Sequence, residues 1–183
     1  MELVKNLNQS SIVKTFLIII LGSLALTLSA KIKIPFYPVP ITMQTFVVML
    51  LGLAFGYKTG LATVSLYLLE GIVGLPVFSN SPEKGVGLVY FTGPTMGYLI
   101  GFLSATLIAG TISSNDNTLK IISKLLLSVS TIYILGILWL GFLIGWDKPI
   151  VELGVTPFLL AEFFKIILLV ILAKKILKFR KFI

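Results

Sequence analysis

Six apolar runs, at residues 12–30, 41–55, 59–74, 93–112, 119–144 and 156–177, follow one another in this chain. No soluble block longer than about twenty residues separates them. So much apolar surface cannot be hidden inside a water-soluble domain of this size. The solution that satisfies every backbone polar group is a bundle of membrane helices, each bonding within itself. Hydrophobic residues make up 57% of the chain and charged residues 12%, with a mean hydropathy of +1.06, well outside the range of soluble domains. The expected fold class is therefore an all-α, polytopic integral membrane protein of six transmembrane helices, with residues 1–183 forming one membrane-embedded domain. The second and third runs are short and only Gly56, Tyr57 and Lys58 join them, which predicts a tight helical hairpin.

The first run has a competing reading. Lys5 and Lys14 precede an apolar core that ends in Thr27, Leu28, Ser29 and Ala30, the outline of a secretory signal. The core is long for a signal, and Lys31 and Lys33 lead straight into the next span, so a retained first helix is the simpler reading.

Composition removes several function classes. The chain has no cysteine and no histidine, which excludes disulfides and thiolate catalysis and takes away the commonest metal ligand and general base. No metal site and no cofactor is expected. A Gly-rich phosphate loop ending in Gly-Lys-Ser/Thr is also missing from the sequence, so the chain has no visible means of using ATP itself. The net charge of +8 does not point to nucleic acid, because the basic residues sit at span ends and in the C-terminal tail rather than on an amphipathic module. A lipid bilayer surface accounts for them better. With six spans, Lys5, Lys14, Lys58, Lys120, Lys124 and the basic cluster at 174–181 share one face, whereas Lys31, Lys33, Lys84 and Lys148 are alone on the other. The positive-inside rule then places both termini in the cytoplasm.

Against this background Glu162 and Lys165 stand out, because they interrupt an apolar run from Thr156 to Ala173. An ionisable side chain inside a span is costly, and it marks a functional site by default. Three residues apart on a helix, the two share a face, so they can either neutralise each other or meet one ligand together. Thr156 and Pro157 read as the N-cap and first residue of the last helix. Glu162 then lies about 8 Å and Lys165 about 12 Å below Pro157, nearer the outer surface. Three outer connections overlook that depth. The first, with Pro35, Pro38 and Pro40, is a stiff strap; the second, with Gly85 and Gly87, turns more readily. Together they suit a lid. Gln44 and Thr45, just inside the second helix, are candidate pocket residues. Glu70 leaves three readings open: it snorkels to the outer interface, pairs with Lys31 or Lys33, or is neutral.

Four motifs in order, PVPITMQT at 38–45, GIVGLPVF at 71–78, GPTMGYLIGF at 93–102 and PFLLAEFFK at 157–165, resemble those of the BioY family. This family comprises the biotin-specific S components, or substrate-binding subunits, of energy-coupling factor (ECF) transporters. The resemblance implies an S-component fold that captures biotin from outside a prokaryotic plasma membrane. It also implies two kinds of partner: a transmembrane coupling protein and two cytoplasmic ATPases that supply the energy. The family's ligand contacts fall here on Asn80, Glu162 and Lys165, with glutamate at 162 where the family usually has aspartate. Tyr98 is a candidate wall or hydroxyl partner, and Tyr37, Phe78, Tyr90 and Phe91 are candidates for the lid or pocket wall. Gly22, Ala25 and Ser29 form a small-residue stripe on the first helix that allows close approach; the resemblance implies docking of the coupling protein there, and internal packing is the alternative. Two other functions remain in view, an S component for another small vitamin and an intramembrane enzyme acting on lipid with Glu162 as acid or base.

Overall fold

The structure, a computed structural model, describes the backbone of residues 2–182 and the side chains of residues 12–180. Lys5 and Lys181, both counted in the charge asymmetry, lie outside the described side chains. Among the described residues the regular structure is helical apart from a short β-hairpin, with irregular loops between the elements. Its helices are α1 (Glu2–Lys31), α2 (Gln44–Ile72), α3 (Met96–Gly110), α4 (Thr118–Ile144), the single turn α5 (Ile150–Gly154) and α6 (Leu159–Ile176), and a 3-10 turn (Leu177–Phe182) closes the chain. The hairpin pairs β1 (Lys33–Ile34) with β2 (Ile41–Thr42) in antiparallel register, Lys33 opposite Thr42.

The predicted helical hairpin lies within α2. Gly56 interrupts the helix with φ 74° and ψ 173°, backbone angles reserved for glycine. There the chain folds back on itself. Gln44 Nε2 consequently donates to the hydroxyl of Tyr67 at 2.7 Å, although 23 residues of straight helix would hold the two about 34 Å apart. Four helical stretches, 12–31, 44–72, 118–144 and 150–180, are long and apolar enough to cross a membrane, and α3, with 15 residues, is a shorter apolar helix. Six helical segments are thus present, whereas six full-length spans are more than these lengths establish. The molecule is a multi-pass membrane protein.

Helix α2 packs on both α1 and α3, α3 packs on α4, and α6 closes the bundle against α2 and α4. Contact between α3 and α4 is close because Gly101 has no side chain: a Cβ there would lie 2.6 Å from the Ile132 Cα. Two of the three connections at one end of the bundle, the strap at 32–43 and the loop at 73–95, are tied together by lysines. Lys31 Nζ donates to the carbonyls of Phe78 and Ser81, both at 2.8 Å, and Lys33 Nζ donates to the Ser79 carbonyl at 2.6 Å. Pairing of either lysine with Glu70, one of the three readings, is therefore not what the structure has. Glu70 instead accepts a short hydrogen bond from the Ser23 hydroxyl of α1.

Two further expectations are corrected at α1 and the C-terminal tail. Gly22 and Ser29 are buried; a Cβ on Gly22 would collide with Thr63 of α2, 2.5 Å away, and the Ser29 hydroxyl bonds back to the Leu26 carbonyl. These two pack inside the bundle, the alternative reading of the stripe, while Ala25 is half-buried at the edge of an apolar crevice shared with the first limb of α2. Arg180 does not reach outward to lipid either. Its guanidinium donates to the carbonyls of Gly52, Leu53 and Gly110 at 2.9–3.2 Å, which occupies backbone acceptors at the ends of two helical segments.

Candidate functional site

The site begins with the geometry of α6. Thr156–Phe158 form a 3-10 turn with Pro157 in its first positions, and α6 proper starts at Leu159. Thr156 does not cap it; its hydroxyl bonds to the Val151 carbonyl at 3.3 Å. Glu162 and Lys165 lie one turn apart on the face turned toward α2, and both are buried, at 5% and 7% exposure.

Their hydrogen bonds leave no doubt about which atom is available. Lys165 Nζ donates to the Thr42 carbonyl at 2.7 Å, to Thr45 Oγ1 at 2.9 Å and to Glu162 Oε1 at 2.8 Å. All three ammonium protons are thereby used. Thr45 Oγ1, accepting from the lysine, donates its own proton to Glu162 Oε1 at 2.7 Å, and the Tyr133 hydroxyl donates to the same oxygen at 3.2 Å. Oε1 is saturated. The other carboxylate oxygen, Oε2, is buried and has no hydrogen-bond partner among the described residues. A buried, unpaired carboxylate oxygen is expensive, and it is chemically a strong acceptor for N–H or O–H donors.

Glu162 lines a cavity of about 40 Å³ together with Thr42, Gln44, Thr45, Ser79, Thr95 and the hydroxyl-bearing rings of Tyr90, Tyr98 and Tyr133. Val39, Pro40, Phe78, Leu99, Phe102, Ile132 and Phe158 supply its apolar wall. Apolar walls with a few converging polar groups are the usual construction of a small-molecule site. The volume has room for roughly three waters at the ~10–15 Å³ that one requires, so a larger ligand needs the strap and loop to move outward.

Of the residues expected here, Gln44, Phe78, Tyr90, Tyr98 and Glu162 line the cavity. Gln44 is held by Tyr67, and the Tyr98 hydroxyl donates to the Gly154 carbonyl at 2.9 Å. Lys165 sits behind Glu162 and does not line the cavity, because its ammonium is enclosed by protein acceptors. Asn80 is displaced to the mouth, where its Oδ1 accepts from Lys33 at 3.2 Å. Phe91 backs Phe78 with ring centroids 5.4 Å apart, and Tyr37 is 76% exposed, outside the wall. Tyr133, Ser79 and Thr95 were not anticipated. Tyr133 carried a signal: it occupies the middle of α4, whereas membrane tyrosines favour the interfaces, so a polar partner was to be sought for it.

Comparison with known proteins now decides the family, since residues 4–182 match the BioY family. The chain belongs to the BioY family. It is 36% identical over 150 residues to a probable biotin transporter BioY of Pyrococcus horikoshii, covering 82% of this chain and 88% of that one. It is 32% identical over 154 residues to the biotin transporter BioY of Thermotoga maritima, covering 84% and 89%. A crystal structure of the S component for biotin from an ECF-type ABC transporter superposes with a TM-score of 0.68 at 29% identity, over 97% of this chain and 93% of that one.

Proposed function

We propose that this BioY-family protein is the substrate-binding membrane subunit of an ECF-type ABC transporter and that its ligand is biotin. The observation that carries this reading is Glu162 Oε2, a buried acceptor without a protein partner on an aromatic-walled cavity. Biotin's ureido group brings two N–H donors to such an acceptor, and its apolar thioether ring suits Phe78, Phe102 and Phe158. Lys165 and Thr45 are positioning residues: they engage Oε1 of Glu162 and so fix which oxygen faces the ligand. The names of the relatives and of the solved S component support the same ligand.

Transport energy, in this reading, comes from a transmembrane coupling protein and two cytoplasmic ATPases, in keeping with a chain that has no phosphate loop. The family resemblance points to a prokaryotic plasma membrane, and the asymmetry of the basic residues supports both termini being cytoplasmic, which puts the cavity and its loops outside. The chain itself is not an enzyme. The test is calorimetric titration of the detergent-purified protein with biotin, riboflavin and thiamine. Saturable binding of biotin alone is expected; binding of riboflavin or thiamine in its place would overturn the assignment.

A further inference from the structure

A cavity of about 590 Å³ opens as a groove between α4 and α6. Leu126 of α4 and Phe163, Ile167 and Ile171 of α6 wall it, all four exposed on helical stretches long and apolar enough to cross a membrane. The small Ser130 keeps it open on the α4 side, and its hydroxyl bonds back to the Leu126 carbonyl at 2.8 Å, so its proton is spent within the helix. Glu162 and Tyr133 line both this groove and the site cavity. The groove therefore runs along the back of the site, where the bilayer offers hydrocarbon rather than water to fill it.

Length and charge say what fills it. The lining follows α6 from Leu159 to Ile171, about 18 Å at ~1.5 Å per residue, against about 15 Å for one leaflet of the hydrocarbon core. A single acyl chain laid along the bundle has that reach. A protein helix does not fit: the same length of helix, about 10 Å across, fills roughly 1,400 Å³, more than twice the space present. Positive charge gathers at one end of the groove. Lys174 and Lys175 follow Ile171 by three and four residues in the last turn of α6, so they stand on the same face, and both are exposed. Neither pairs with an acidic group among the described residues, whereas Lys120 and Lys124 at the start of α4 both engage Asp116. The helix C-terminus offsets about half a charge, which leaves most of two positive charges at the end of the groove.

We propose that the groove between α4 and α6 is a binding site for one anionic phospholipid of the adjoining leaflet, with an acyl chain along Leu126, Ser130, Phe163 and Ile167 and the phosphate at Lys174 and Lys175. An apolar channel ending in two unpaired ammonium groups matches the two parts of such a lipid in order, tail in the hydrocarbon and headgroup at the interface. Each lysine near the membrane surface contributes about fivefold in affinity for an anionic headgroup. The proposal goes beyond the transported ligand and does not depend on its identity.

The test is native mass spectrometry of the detergent-purified protein titrated with phosphatidylglycerol or with phosphatidylcholine of the same acyl chains. Wild type is compared with Ser130→Trp, with Ile167→Trp and with a Lys174→Gln, Lys175→Gln double variant, each shown to be folded by thermal unfolding. Wild-type protein is expected to retain one phosphatidylglycerol in preference to phosphatidylcholine by fivefold or more. A tryptophan ring in the groove should lower retention of both lipids by at least that factor, whereas the lysine variant should hold phosphatidylcholine as wild type does and bring the ratio toward one. A wild type that retains the two lipids equally, or neither, overturns the proposal without needing any variant. Retention unchanged in both tryptophan variants, or a ratio unchanged in the lysine variant, overturns it as well. A dimer that the tryptophans split would give the groove to a second copy of this chain and would equally overturn it.

Discussion

The two ends of the bundle are packed from different materials. Around the cavity the buried cluster sets six rings, Tyr67, Phe78, Tyr90, Tyr98, Phe102 and Phe158, among aliphatic residues such as Val39, Leu99 and Ile132. At the opposite end Met49, Leu53, Ile112, Ile121, Leu125, Leu169 and Ala173 belong to a buried cluster that contains no ring. Aromatic walls leave shaped space and carry hydroxyls that can satisfy a polar floor. Aliphatic side chains interdigitate and leave little room. The difference sets a half that carries the cavity apart from a half built of helix packing alone.

Substitutions in the two halves are expected to have separable effects. The largest is expected from Lys165→Met, which removes the ammonium and leaves Glu162 buried with an uncompensated charge. Breaking a buried pair in this way costs about 3–5 kcal/mol, and biotin affinity should fall with it because the carboxylate loses its orientation. Thermal unfolding in detergent and calorimetry measure the two losses. Leu169→Ala, in the aliphatic half, should lower stability by about 2–5 kcal/mol while biotin affinity stays within about threefold, a change of roughly 0.65 kcal/mol. A large affinity loss there would erase the proposed boundary. Tyr133→Phe deletes one long hydrogen bond to Glu162, for a cost of about 1 kcal/mol, and its effect should appear in binding more than in stability.

The smallest effect lies at the surface of the aliphatic end. Lys124 donates to the Asp116 carboxylate at 2.7 Å, the Ser113 N–H donates at 3.0 Å and Lys120 pairs at 3.0 Å. These partners, Lys124 foremost, hold the carboxyl below the usual carboxylate range. A depressed folded-state pKa contributes stability that is present above the unfolded value of about 3.9 and is lost as pH falls below it. Melting temperature should therefore be flat from neutral pH to about 5 and decline below about 4, and Asp116→Asn should remove part of that decline without altering biotin binding at neutral pH.

How far the sequence discloses these halves depends on how local the cause is. Charges inside an apolar run are costly wherever the run packs, so Glu162 and Lys165 were readable as a site before any contact was known. The reversal at Gly56 was equally local, since three residues leave no other path between two apolar runs. What could not be read were partners brought from a distance. Nothing in the sequence says that Lys165 spends its protons on Thr42 and Thr45 rather than on a ligand, or that Arg180 turns inward to the carbonyls of α2 and α3. Small residues on α1 were ambiguous for the same reason: Gly22 permits close approach, and only the fold shows that Thr63 makes it. Thr95 lay within a recognised motif and Ser79 directly after one, yet a serine or threonine in a loop or helix end is too common to single out.

The central claim is that the carboxylate of Glu162, by its unpartnered oxygen, is the acceptor that binds biotin. The most direct measurement is calorimetric titration of biotin into Glu162→Gln, with thermal unfolding recorded on the same sample. The substitution keeps the side chain's size but replaces a charged acceptor with an amide. The account predicts a folded protein whose affinity for biotin is lower by about a hundredfold, the ~3 kcal/mol that a charge-assisted hydrogen bond contributes at its upper end. A folded variant that binds biotin as tightly as the wild type would contradict it and would reduce Glu162 and Lys165 to a structural ion pair.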